Sequence, residues 1–536
     1  MECHCIPLRE LPRTSRLFAD YTDNFARVSG FYAHAPTLQG IRAAARGVNL
    51  PADVRRQVVA ILREQNRRWG ADPAVMENLD RLAAGALAVV SGQQVGLFSG
   101  PAYSFYKALS TLAAAAGLRA AGLDAVPVFW LATEDHDLAE VNHCFFSGRK
   151  GLARVELNPA DSQTGRRVGE VRLGPAVGAA VRQAADLLEG PAAEEIREAL
   201  REGYRPEETY GSAFAKLFTR LLAGRGLILL DPLDARWHRL AVPIYQRALE
   251  DAEALNADLL ARSRALEKAG YHGQVKVTET STLLFVDRNG QRLPVRRHTQ
   301  GFVVGRSSFS AGELREVLEK SPQAFTANVL LRPVVQDALL PTVAYVAGPA
   351  EVAYFAQAEV VYRHLLVQMP AVVSRASYTL APPRQRRLLA KYELTLREVL
   401  GGRQRLRRRM ERAFLAPKLE REFTAGERAI RRSLARLRAP LGKLDGTLDG
   451  ALDTAERKIL YQFEKLRAKA GRARNFRSGV LDAHERLILD TLYPRHALQE
   501  RSVCLLAFLA QSGMALLDEL QSRAGIENLH HHVLFL

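Results

Sequence analysis

Short unbroken apolar runs and amphipathic stretches alternate along most of the chain. The runs fall at 87–90 (LAVV), 126–131 (VPVFWL), 227–230 (LILL), 343–347 (VAYVA) and 371–373 (AVV). Continuous rather than alternating hydrophobicity predicts strands buried on both faces. Helical patterns separate them. AYSFYKALSTLAAAAGL follows Pro101, a residue suited to a first helical position, and EVAYFAQAEVVYRHLL follows Gly348-Pro349. Strands alternating with helices pair in parallel, so the pattern predicts a doubly wound α/β sheet. In such sheets the functional loops lie just past the carboxyl ends of the strands.

Two segments break the rhythm. Residues 264–310 include QVKVTETSTLLFVDRNGQRLPVRR, which reads as antiparallel strands with a hairpin turn at Asn289-Gly290. Farther on, Leu419, Phe423, Ile430, Leu434 and Leu437 form one helical stripe, and Leu448, Leu452, Ile459, Leu460 and Phe463 form another. A break at Pro440, Gly442, Gly446 and Gly450 lies between them, predicting an antiparallel coiled-coil hairpin. The expected organisation is a core over 1–380 with insertions at about 140–210 and 264–310, a helical arm over 381–477, and a segment over 478–536 that returns to the core.

Charge follows this division. The 536 residues carry a formal net charge of +17, yet residues 381–480 alone hold 27 basic against 11 acidic side chains, a surplus of 16. The rest is close to neutral. A basic helical face with neither aromatic interleaving nor a nucleic-acid module reads as solvated surface, so no nucleic-acid partner is expected. No apolar run approaches the roughly 20 residues of a membrane span. The first residues, MECHCIPLRELPR, lack the apolar stretch of a secretory leader. Four cysteines cannot build a disulfide framework for this length, so the expected compartment is the reducing cytoplasm. Cys3 and Cys5 flank His4 without zinc-knuckle spacing or a second half, and His530-His531-His532 reads as surface or packing. No metal is expected.

Three strand-end loops carry the candidate chemistry. In Ser91-Gly92-Gln93-Gln94-Val95-Gly96-Leu97-Phe98-Ser99-Gly100-Pro101 the glycines let backbone approach a ligand, and the following helix start favours an anion. Tyr103 and Lys107 follow on that helix, where Lys107 can reach back toward a phosphate or carboxylate or simply be solvated. The loop matches neither a Walker A nor a dinucleotide fingerprint. Glu134-Asp135-His136-Asp137, with Asn142 and His143, is the densest ionisable cluster. His136 suits a general base, the carboxylates suit an amine or a cation, and a divalent metal is the alternative. The third group is Arg332, Gln336 and Asp337 with Gly348, Glu351 and Tyr354, where Arg332 and Asp337 can also be a plain buried ion pair. Arg375 and Ser377, with Tyr493, Arg495, Gln499 and Arg501, flank the arm in sequence and form a possible second polar cluster.

At SGQQVGLFSGPAYSFYKA (91–108), PVFWLATEDHDLAEVNH (127–143), LLRPVVQDALLPTVAYVAGPAEVAYFAQ (330–357), LQER (498–501), FADYTDNFARVSGFY (18–32) and the closing HVLFL, the sequence resembles the cysteine-adding ligase family of bacillithiol biosynthesis. The resemblance runs the whole length in order. It implies a Rossmann-like core and a coiled-coil arm that pairs two subunits. The implied reaction joins the carboxyl of L-cysteine to the 2-amino group of glucosaminyl malate. A carboxylate does not acylate an amine unactivated, so ATP or another nucleotide is implied, although no HIGH- or KMSKS-like adenylation signature is present. On this resemblance His136 takes the ammonium proton, Asp135 or Glu134 holds the amine, and Arg332 holds a carboxylate. The 91–101 turn with Lys107 suits anionic groups, phosphate or malate carboxylate; apart from the resemblance, the Arg375–Arg501 set is a candidate second nucleotide site. Two rivals stand beside it. One is a metal-dependent hydrolase using the Glu134–His143 cluster, the other a polyanion-binding coiled-coil scaffold.

Overall fold

A computed structural model describes the chain except residues 149–150, 159–162, 164, 289, 300, 366–367, 413–416 and 476–478. It divides into two compact units, 1–379 with 499–534, and 380–498 with 535–536.

In the first unit the five predicted runs are five strands of one parallel sheet. These are β1 (Leu87–Gln93), β2 (Ala125–Leu131), β3 (Ile228–Leu230), β4 (Thr342–Ala347) and β5 (Ala371–Ser374), in the order β5-β4-β1-β2-β3. The register sets Val90 opposite both Tyr345 and Val128. Every residue of β2 and β4 is buried, as expected for strands covered on both faces. The chain leaves β1 through α1 (Tyr103–Ala120) toward β2. It enters β4 from α2 (Arg332–Leu339) and leaves it through α3 (Pro349–Leu365) toward β5. Connections from the neighbours β1 and β4 thus run to opposite sides of the sheet, leaving a crevice at their carboxyl ends.

The turn between β1 and α1 is tight. Gly96 has φ −68°, so it does not occupy a left-handed conformation, but a Cβ there would lie 2.9 Å from the Gly100 Cα. The left-handed conformations fall on Phe98 (φ 50°), Ser99 (φ 74°) and Gly100 (φ 64°), two of them side-chain-bearing residues held there at a cost of order 1–3 kcal/mol each.

The expected antiparallel insertion is present but starts later. Residues up to Lys268 belong to a helix, and five strands from Ser281–Arg288 to Phe325–Ala327 make the sheet. Asn289 of the expected turn lies outside the described residues. Its flanks, Arg288 and Gln291, are paired across the hairpin. A three-stranded sheet, unforeseen from the sequence, joins Glu2–Pro7, His530–Phe535 and Ser377–Ala381.

In the second unit α4 (Pro417–Leu444) and α5 (Leu448–Asn475) pack antiparallel. Phe423 meets Phe463 with ring centroids 5.4 Å apart, and Arg431 pairs with Glu456 at 3.0 Å. The break is narrower than the sequence indicates, because Pro440 and Gly442 lie within α4, Gly450 lies within α5, and only 445–447 turn. Among the described residues no helix is long and apolar enough to cross a membrane.

Candidate active site

Lys107 ties the two crevice loops together. Its ammonium donates to the Gly92 carbonyl (2.6 Å) and Gln93 Oε1 (2.9 Å) and pairs with Glu351 Oε2 (2.5 Å). Three N–H donors meet three protein acceptors, so Lys107 is neither solvated nor free to bind a phosphate. Burial, with Arg375 and Arg332 adding to it, lowers its pKa against the pull of Glu351. Glu351 also accepts from the Tyr345 hydroxyl (2.8 Å) and the Gly348 N–H (2.7 Å).

These contacts frame a cleft of about 320 Å³ at the switch point. Arg332, the first residue of α2, donates to the Tyr354 hydroxyl (2.9 Å), the Tyr345 hydroxyl (3.2 Å) and Gln336 Oε1 (3.2 Å). Its guanidinium lies 5.6 Å from the Trp130 ring centroid. Burial opposes the charge, but Tyr345, Tyr354 and Glu351 raise its pKa above the ordinary value. Among the described residues no carboxylate lies within ion-pair distance of Arg332. The buried ion pair with Asp337 is therefore not formed. Asp337 bonds to Tyr362 and Gln336 instead, and burial pushes its pKa up to about 6. Arg501, exposed on the cleft wall, likewise has no acidic partner among the described residues.

Arg375 is committed differently. It forks onto Glu500 (2.6 and 3.1 Å), which also accepts from Ser377 Oγ (2.9 Å) and the Tyr378 N–H (3.0 Å). Arg375 and Ser377 are thus drawn together by Glu500, next to the buried Gln499 in sequence. Tyr493 and Arg495 belong to the second unit, where Arg495 has φ 55°.

The acidic loop is not one solvent-facing cluster. Successive side chains leaving β2 turn to different neighbours. Glu134 lies 3.4 Å from His238 Nε2, Thr133 donates to Asp231 (2.5 Å), and His136 Nε2 lies 4.0 Å from Asp287, which also faces Arg167 (3.7 Å). Asp135 accepts from Gln94 (2.6 Å), which also donates to Glu140 (2.9 Å). Asp137 accepts the Glu140 N–H (3.1 Å) and caps a short helix, while Asn142 bonds to Asn158 (2.8 Å) and His143 to Asn142 (3.1 Å). Among the described residues no three donors of 134–143 converge as a metal site would require. Burial and the nearby Arg292 and Arg167 lower the His136 pKa. Burial drives His238 down to about 4 and Glu134 up to about 7.

The Glu134 shift carries a stability prediction. Native Glu134 keeps its proton to about pH 7, whereas the unfolded side chain loses it near about 4.3, so the native state binds more protons across that window. Stability then falls as pH rises through it. Glu134→Gln should gain on the wild type between pH 5 and 8 by up to roughly 3 kcal/mol in urea unfolding. A pH-independent difference between the two would refute the shift.

Of the sequence candidates, Gly92, Gln93, Gln94, Tyr103, Lys107, Arg332, Gly348, Glu351, Tyr354, Arg375 and Arg501 line the cleft. Ser91 does not, bonding across the sheet to the Val346 carbonyl (2.7 Å), nor do Gly96, Gly100, Glu134, Asp135, His136, Asp137, Asn142, His143, Gln336, Asp337, Ser377 and Gln499. Trp130, Glu140 and Tyr345 also line it. Glu140 was available in the sequence, on the same polar loop. Trp130 and Tyr345 were hidden inside strand runs.

A doubly wound core with a cleft at its switch point, followed by a helical hairpin, defines a Rossmann-like protein with a coiled-coil arm. Residues 1–376 match the family profile described as "Bacillithiol biosynthesis BshC, N-terminal Rossmann-like domain", and residues 378–536 the one described as "Bacillithiol biosynthesis BshC, C-terminal coiled-coil domain". The chain belongs to the BshC family. Relatives sharing the name "Putative cysteine ligase BshC" include those of Koribacter versatilis (42% identical, covering 97% of each chain), Solibacter usitatus (38%, 100% of each) and Chlorobaculum tepidum (34%, 87% of this chain and 86% of the relative).

Proposed function

We propose that this chain is a cysteine ligase that joins the carboxyl of L-cysteine to the 2-amino group of glucosaminyl malate, the last step of bacillithiol synthesis. The relatives' name supports the ligase class. One observation supports the choice of acceptor: Arg332 and Arg501 both line the cleft and, among the described residues, neither is held in an ion pair, which suits the two carboxylates of a malate group. Arg332 sits against the buried Trp130 ring, which holds the guanidinium at the cleft.

Among the described residues the carboxylates lining the cleft are Glu140 and Glu351, and Glu351 is occupied by Lys107 and Tyr345. The amine therefore belongs to Glu140, linked through Gln94 to Asp135. Glu134 and His136 turn to His238 and Asp287 and act from behind the wall. Glu140→Gln should accordingly cost more in kcat/KM than His136→Asn. The reverse order would return the base to His136.

Phosphoryl or adenylyl transfer from ATP supplies the activation that a carboxylate needs. The cleft cations suit the dicarboxylate acceptor rather than a triphosphate, since Lys107 and Arg375 are held by Glu351 and Glu500. Calorimetric titration should show Arg501→Ala weakening glucosaminyl malate roughly tenfold or more, as a lost charged hydrogen bond does, with ATP affinity unchanged. Loss of ATP affinity alone would assign the cleft to the nucleotide.

The arm supports a homodimer, because Leu437, Ile459 and Leu466 remain 49%, 42% and 56% exposed on the hairpin. Leu437→Lys combined with Ile459→Glu should sediment as a monomer with an unchanged melting midpoint. A persistent dimer would remove the arm from assembly.

A further inference from the structure

We propose that Cys3, Cys5 and His532 form a zinc(II) site on the sheet that joins Glu2–Pro7 to His530–Phe535. Side chains alternate along a strand, so Cys3 and Cys5 project from one face and His4 from the other. His4 faces Glu2 at 3.2 Å and is not part of the set. On the neighbouring strand the same alternation separates the histidine run. His531 turns into the core, bonded to Ser377 (2.7 Å) and Thr379 (2.8 Å), while His532 turns to the cysteines. The second half of the site, missing near Cys3 and Cys5 in sequence, comes from the far end of the chain.

The spacing is that of ligands around one ion. His532 Nδ1 lies 3.6 Å from the Cys3 sulfur and 3.6 Å from the Cys5 sulfur, and all three donor atoms fall within 4.8 Å of one another. With Zn–S of about 2.3 Å and Zn–N of about 2.0–2.1 Å, the edge of a tetrahedron between sulfur and nitrogen is also about 3.6 Å. The His532 ring stacks on Tyr378 with centroids 5.5 Å apart, which fixes the ring plane while Nδ1 faces the sulfurs. Cys5 is exposed and Cys3 partly so, leaving an entry path. Two thiolates and an imidazole are a donor set for zinc rather than for magnesium or calcium. Binding displaces the two thiol protons to solvent and leaves a fourth position for water. Cys144 and Cys504 are buried and take no part.

The test uses the full-length protein, reduced, stripped with a chelator and titrated with Zn²⁺ against a chromophoric competitor. One tight equivalent per chain is expected, lost by at least a hundredfold in Cys3→Ser/Cys5→Ser and kept in His4→Ala. Co²⁺ in its place should give thiolate-to-cobalt charge-transfer absorption, weakened in His532→Asn. In wild-type protein, which needs no substitution to fold, Zn²⁺ should slow alkylation of Cys3 and Cys5 read by peptide mass spectrometry. Absence of a stoichiometric equivalent, its retention in the double serine variant, or alkylation unaffected by Zn²⁺ would each overturn the site.

Discussion

Arg332→Ala should lower kcat/KM for glucosaminyl malate by a factor of about 10²–10³ while leaving the fold intact. A guanidinium forked onto a carboxylate makes two charged hydrogen bonds at about 1.5–3 kcal/mol each, and their partial loss converts to that range. The alternative partners of Arg332 are neutral oxygens of Tyr345, Tyr354 and Gln336, so its removal strands no buried carboxylate. Arg332→Lys should recover only part of the loss, because an ammonium restores the charge without the planar fork. Steady-state kinetics and thermal unfolding measured on the same preparations separate the two effects. Equal activity in Arg332→Ala would remove this side chain from the site.

The largest effect on stability should come from Glu500→Ala, at about 3–5 kcal/mol in urea unfolding. Arg375 and Glu500 have side-chain exposures of 5% and 2%, and removing the acid leaves a buried guanidinium unpaired along with the Ser377 hydroxyl and Tyr378 N–H. Replacing both charges, as in Arg375→Leu/Glu500→Leu, should cost less than the sum of the single variants, since neither leaves an uncompensated ion. Burial alone would raise the Glu500 pKa, but Arg375 and Ser377 hold it below the ordinary value. The contribution of the pair is therefore complete above the unfolded carboxylate value of about 4.3 and is lost as pH falls through the lower native one. Additive single and double variants would show that the two groups do not act as a pair.

The sheet was legible because buried parallel strands write themselves as unbroken apolar runs, and all five runs became neighbours in one sheet. The loops after β1 and β4 were legible for the same reason, as polar interruptions at strand ends. The partners within the cleft were not. Nothing local couples Lys107 to Glu351 or Arg375 to Glu500: the parallel pairing of distant strands brings the first two together, and the return of the C-terminal segment to the sheet brings Glu500 to Arg375. Trp130 and Tyr345 read as core because strand burial hides which residues meet the cleft at the strands' carboxyl ends. The acidic loop misled in the opposite direction. Adjacent charges in sequence suggest one cluster, yet Glu134, Asp135 and His136 turn to His238, Gln94 and Asp287 respectively. Cys3, Cys5 and His532 show the same limit, with each strand's pattern visible and their adjacency settled only by the sheet.

In the proposed reaction this cleft binds the acceptor of cysteine ligation. Incubating the wild type and Arg332→Ala with L-cysteine, glucosaminyl malate and ATP, and following the product by mass spectrometry, tests it directly. The expected product is a thiol whose mass is the sum of cysteine and glucosaminyl malate less one water, formed by the wild type and reduced at least a hundredfold in the variant at limiting glucosaminyl malate. No such product from the wild type, or equal yields from both proteins, would contradict it.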